Sequence, residues 1–157
     1  MALPQFEQGL LNLCQHVEAL AKGCRTGVCV ASEDGAKLER AYFPNLPRTF
    51  QEGIRDVPMY PSNFGSCTAA MHGNEIITTP DMNEETRWDE RFVAHCLKHS
   101  IIALQSRPVF DDKGQPLGTF VMGFSEPRTV NDFDRSLMDF AADAATELFK
   151  VRRGALS

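Results

Sequence analysis

Residues 101–124, IIALQSRPVFDDKGQPLGTFVMGF, restrict the fold more than any other stretch of this chain. Two runs read as alternating strands flank a polar turn containing Asp-Lys-Gly, the pattern of an antiparallel hairpin. An isolated hairpin is marginal in water and needs further strands, or a helix on its face. The rest of the chain supplies both. TGVCVASED (26–34) reads as a strand ending in a turn at Glu33-Asp34-Gly35, and AKLERAYF (36–43) as its hairpin partner. EIITT (75–79) reads as another strand.

Helical patterns separate these strands. Phe6, Leu10, Leu13, Val17, Leu20 and Cys24 recur at helical spacing, with Gly23 as a stop signal. RTFQEGIRDV (48–57) is a short helix bracketed by prolines, and Ser66 is the expected N-cap of a helix through CTAAMH. ETRWDERFVAHCLKHS (85–100) is expected to be helical, with Trp88, Phe92 and Cys96 inward. The last helix is expected to be capped by Thr129 or Asn131 and to bury Phe133, Leu137, Phe140, Ala144, Leu148 and Val151. Single helices between few strands fit an α+β chain with an antiparallel sheet better than a doubly wound parallel sheet.

At 157 residues the chain reads as one domain, 1–157, with a core over about 5–153. Apolar residues at 43% and charged residues at 24% are ordinary for a soluble globular protein. A net charge of −5 argues against nucleic acid or an anionic membrane as partner. No apolar run approaches the roughly 18 residues that span a bilayer, and the N-terminus lacks the basic region of a signal peptide. The five cysteines are odd in number and form no CxxC pair. That argues against a disulfide scaffold or zinc knuckle and points to reduced thiols in a cytoplasmic protein.

Cys67 holds the most chemical interest. At the start of a helix its thiolate is favoured by exposed amides, and Ser66 and Thr68 add hydroxyl donors. A nucleophile needs an adjacent base, and His72, five residues on, falls on the wrong side of a helix. Binding therefore fits Cys67 better than catalysis, and packing beneath the loop fits too. His95 and His99 share a helical face, but no third ligand accompanies them, so no metal site is expected. One of the pair is expected to face a pocket and the other solvent.

FGSCTAAMHGNEIITTPDM, RWDERFVAHCLKHSIIALQSRPVFDDKGQPLGTFVMGFSEPR and the capped final helix resemble the GAF domain. More narrowly, they resemble the GAF sensor modules of bacterial histidine kinases and cyclic-di-GMP signalling enzymes. The matching residues include Gly65, Ser66, Cys67, Thr68, Trp88, Ser106 and Gly118 to Phe120, and the likeness covers essentially the whole chain. Two departures lie beside the ligand site: the glycine after the cysteine is missing, and Glu75 stands where proline is common.

The resemblance implies a layered α/β/α fold, with a central antiparallel sheet, both terminal helices on one face and a small-molecule pocket on the other. Tyr42, Met59, Tyr60, Phe92, Trp88 and Met122 would supply apolar walls, with Asp81, His95, Gln105 and Ser106 as polar contacts beside Ser66, Cys67 and Thr68. No cofactor is specified, because family ligands range from cyclic nucleotides and tetrapyrroles to small anions, fatty acids and oxidised methionine. The expected partners are the small-molecule ligand, a second copy of the chain through the terminal helices, and a kinase or cyclase output domain. Free methionine sulfoxide reductases share this fold and carry a pocket cysteine near the position of Cys67, but no second loop cysteine presents itself as a resolving thiol. A GAF domain without a ligand, serving only for dimerisation, is the remaining alternative.

Overall fold

The computed structural model describes residues 2–156. It runs α1 (Ala2–Leu20), β1 (Cys24–Ala31), β2 (Lys37–Tyr42), α2 (Arg48–Glu52), β3 (Val57–Pro58), α3 (Ser66–Gly73), β4 (Ile77–Thr79), α4 (Glu90–Lys98), β5 (Ala103–Phe110), β6 (Pro116–Phe124) and α5 (Arg135–Leu156). Short 3₁₀ turns occur at Ser62–Phe64, Met82–Glu84 and Val130–Asp132. The strands form one antiparallel sheet in the order β3-β2-β1-β6-β5-β4, as the α+β reading expects.

The expected β5–β6 hairpin closes through Asp111, whose Oδ1 accepts the N–H groups of Lys113 and Gln115. Gly114 takes a positive φ of 79° there. At the centre of the sheet β1 pairs with β6 from Cys24↔Phe124 to Val30↔Gly118. Both faces of this centre are covered. On one, α1 and α5 bury Phe6, Leu10, Val17, Phe120, Met138 and Phe149. On the other, α2, α3, α4 and the loops bury Cys29, Phe50, Met82, Trp88, Phe92 and Leu104. The layered architecture implied by the resemblance is present.

The α1 stripe of Phe6, Leu10, Leu13 and Val17 is buried as expected, but its end and the α5 stripe differ from expectation. α1 stops at Leu20, which is exposed, and Cys24 opens β1 after a turn in which Gly23 has φ 86°. On α5 the buried apolar residues are Met138, Ala141, Ala145 and Phe149, one position beyond the expected stripe. Phe140 and Val151 are exposed, while Leu137, Ala144 and Leu148 lie half-buried at the edge of the core. The cause is the company α5 keeps. It lies against the sheet and beside α1, where Leu148 presses on Gly9 so closely that a Cβ there would lie 2.5 Å from Leu148 Cδ2. Two adjacent stripes serve two neighbours, so the helix carries more apolar surface than one contact covers.

Two arginines tie the layers. Arg107 of β5 pairs with Asp139 of α5. Arg152 of α5 donates to Glu39 of β2 at 2.9 Å, with its guanidinium 5.9 Å from the Phe6 ring centre. Asp134 Oδ1 accepts Leu137 N–H at 2.9 Å at the start of α5, and Thr129 caps the preceding 3₁₀ turn. Among the described residues no helix is long and apolar enough to cross a membrane.

Candidate functional site

The turn into α3 is built around a close approach. Gly65, not Ser66, is the N-cap, because a Cβ at position 65 would lie 2.8 Å from the Phe92 ring. Thr68 fastens the turn by donating to Ser62 O at 2.7 Å and accepting Gly65 N–H at 3.4 Å. Ser66 is thereby free to point into the core, where its hydroxyl meets that of Ser106 on β5 at 2.8 Å. Cys67 Sγ lies 3.4 Å from the same Ser106 hydroxyl.

The structure adds a residue to this cluster that the sequence concealed. Cys29, on β1, places its Sγ 3.1 Å from Cys67 Sγ. Both thiols are free and buried. Thr119, opposite Cys29 on β6, is fully buried too, and its hydroxyl makes no well-formed hydrogen bond. The two sulfurs are not equivalent. A hydrogen bond from the Cys29 thiol lowers the pKa of Cys67 against the effect of burial, and the hydroxyls around it act in the same direction. Cys29 is pushed up, because its proton is held by Cys67 and it has no exposure to water. Burial raises the other thiols as well, Cys14 and Cys24 to about 12 and Cys96 further. Cys67 is the thiol best able to ionise.

Around the cluster, Met59, Trp88 and Phe92 are buried in the same core. Trp88 precedes α4 instead of lying on it, and its indole N–H donates to Thr79 Oγ1 at 2.9 Å. Asp81 spends its carboxylate locally, accepting Asn83 N–H at 3.0 Å. Tyr60 is 62% exposed and meets His72 edge-on. Three expected pocket residues lie on the opposite face of the sheet. Tyr42 packs edge-on against Phe6 of α1, and Met122 belongs to the terminal-helix core. Gln105 alternates with Ser106 and so shares a face with Ala103 and Arg107, its amide donating to Thr78 Oγ1 at 3.0 Å.

His95 and His99 do not divide between pocket and solvent as expected; both clamp α4 to α2. His95 stacks on Phe50 and its Nε2–H donates to Phe50 O at 2.7 Å. His99 Nδ1–H donates to His95 O at 3.0 Å, which leaves Nε2 to accept the Thr49 hydroxyl at 2.9 Å. Desolvation lowers the His95 pKa from 6.5, with the charges of His99 and Lys98 adding to the effect. The unfolded chain therefore binds the proton first. The stability this histidine contributes is complete above about pH 6.5 and is lost as pH falls through its folded pKa. Thermal melts are expected to show His95→Gln losing less midpoint than the parent between about pH 7.5 and 5.5; parallel curves would remove His95 as the cause.

An open groove of about 490 Å³ lies between α1, β2 and α2, with Arg40, Arg48 and Arg55 among its walls. Another of about 270 Å³ lies beside Leu20, Phe124 and Arg128. The space beneath α3 and α4 is filled by Met71, Met82, Trp88, Phe92 and Cys96. Among the described residues no group of three or more His, Cys, Asp or Glu is placed to hold a metal ion.

No family model and no curated protein matches the sequence. Solved structures match its fold. A domain assigned to a two-component sensor histidine kinase of Sinorhizobium meliloti 1021 superposes with a TM-score of 0.66 at 16% identity, over 96% of this chain and 93% of that one. The GAF domain/HD domain protein of Geobacter sulfurreducens gives 0.67 at 14% identity, over 95% and 92%. The chain has the GAF fold. The type II free methionine-R-sulfoxide reductase of Thermoplasma acidophilum is equally similar, at 0.68 and 16% identity over 95% of each chain. In this GAF fold the Ser66–Cys67 turn lies on the sheet face away from the terminal helices, the face on which the resemblance placed the ligand.

Proposed function

We propose that this chain is a sensory GAF domain of bacterial signal transduction, binding a small molecule beneath α3 and α4. One observation carries the reading. A polar cluster of Ser66, Ser106, Cys67 and Thr119 is buried in an apolar core at the N-terminus of α3, with the Thr119 hydroxyl lacking a good partner. Buried polar groups are ordinarily paired, and hydroxyls beside helix amides suit an anionic or hydrogen-bond-accepting ligand. The cover is formed by residues 60–65 and 81–89, whose regular structure is limited to single 3₁₀ turns. These segments must part to admit a ligand, and their closure would reach α1 and α5 through the sheet to an output domain such as a kinase or cyclase.

Native mass spectrometry of the purified protein tests this reading. A released small molecule, when added back, should protect residues 60–99 from hydrogen exchange. No bound molecule, or protection confined to α1 and α5, would favour a dimerisation module without a ligand.

A thiol-enzyme reading has one observation in its favour, the second sulfur that Cys29 brings to Cys67. Turnover of free methionine sulfoxide with dithiothreitol, abolished by Cys67→Ser, would replace the sensory reading.

Self-association is the second part of the proposal. Leu20, Phe140 and Val151 leave apolar surface on α1 and α5, the kind of stripe that helix bundles cover with a partner. Light scattering is expected to find a dimer at high micromolar concentration, and Phe140→Glu to give a folded monomer. A monomeric parent would sink the idea.

A further inference from the structure

We propose that Cys29 and Cys67 are a site of reversible oxidation, at which a small peroxide forms a disulfide stapling the N-terminus of α3 to the central strand β1. The proposal stands on the placement of the two sulfurs and depends neither on ligand binding nor on sulfoxide turnover. Their separation of 3.1 Å needs to close by only about 1 Å to reach the roughly 2.05 Å of a disulfide. Both ends are held by rigid elements. Cys29 is paired on both sides, with Ala41 of β2 and Thr119 of β6. Cys67 stands in the first turn of α3, anchored by the Ser66–Ser106 and Thr68–Ser62 hydrogen bonds.

The two sulfurs have different parts. Cys67 keeps a 5% exposure and a hydroxyl neighbour, whereas Cys29 has none of the first. Cys67 is therefore the sulfur that attacks. Its thiolate takes one oxygen from hydrogen peroxide, giving a sulfenic acid as the O–O bond breaks and the departing hydroxide gains a proton to become water. Cys29 sulfur then attacks Cys67 Sγ and the S–O bond breaks. The hydroxide that leaves takes the Cys29 thiol proton, so two thiols and one peroxide give one disulfide and two waters. Only a small neutral oxidant suits a sulfur on a residue just 5% exposed. A dithiol reductant reverses the step.

The test uses the full chain in its native state. It is exposed to a small excess of hydrogen peroxide, quenched, denatured in N-ethylmaleimide and weighed. Of the five thiols, three should take maleimide after peroxide and all five before it. Proteolytic peptides containing Cys29 and Cys67 should be linked until reduced. With Cys29→Ala the link is lost and Cys67 gains two oxygens as sulfinic acid; with Cys96→Ala the link persists. Five labelled thiols after peroxide, a Cys67–Cys96 link, or a link between two copies would each overturn the proposal. Should Cys29→Ala fail to fold, peptide mapping of the parent chain decides alone.

Discussion

Phe149→Ala is expected to lower the unfolding free energy by about 3–5 kcal/mol, while Phe140→Ala lowers it by less than about 1 kcal/mol. Both phenylalanines stand on α5, and sequence spacing alone favours Phe140. The structure reverses the ranking. Phe149 is 2% exposed, lies 6.2 Å from the Phe6 ring and packs over Gly118, whereas Phe140 is 49% exposed, with the His16 ring 5.6 Å away. Removing a buried ring forfeits its transfer free energy and leaves a cavity that fixed strands cannot fill. Removing an exposed ring forfeits little of either in the monomer. Urea unfolding with matched slopes measures both; an equal loss in the two variants would mean that α5 is rotated from the orientation described.

Gly118→Ala is expected to cost about 3 kcal/mol, by overpacking instead of cavity formation. A Cβ there would overlap the backbone carbonyl of Cys29 and lie 2.8 Å from the Phe149 ring. The ring could turn aside, but the carbonyl belongs to the β1–β6 ladder at the middle of the sheet. Relief would have to separate the two central strands. With a shift of roughly 2–4 °C per kcal/mol for a chain of this size, the melting midpoint should fall by about 10 °C. The same displacement would move Cys29 relative to Cys67, so the peroxide-induced link should form more slowly in this variant. An unchanged melt would show that the strands yield at little cost.

Hairpins and helices were legible because turn residues and helical periodicity act locally, whereas the layer order followed from the resemblance to the GAF domain. DDKGQP closes the β5–β6 hairpin by the side chain of Asp111, and no distant residue is needed to read it. The failures all concern relations set at long range. Which of two neighbouring stripes on α5 faces inward depends on α1 lying alongside. Gln105 and Met122 fall on the terminal-helix face because of strand parity, yet β5 and β6 are buried on both sides, so the alternation expected of these strands does not tell which face is which. Ser66 has the chemistry of an N-cap, but the tight fit of Gly65 to Phe92 gives that position to glycine. The Cys29–Cys67 contact joins residues 38 apart on β1 and α3, elements separated in the chain by β2, α2 and β3. Neither cysteine sits in a motif that pairs it with the other.

The central β1–β6 ladder has a consequence for how the chain reaches this state. β1 is made early and its principal partner late, so Cys24 must wait for Phe124 and α1 for α5. Loop closure of that length makes folding slow relative to helical bundles of similar size. During synthesis the β1–β2 hairpin can form alone, but it leaves an apolar strand with an open edge until β6 emerges. Chains interrupted before residue 116 should therefore be prone to edge-to-edge aggregation, and the last quarter of the sequence acts as the closing partner for the first.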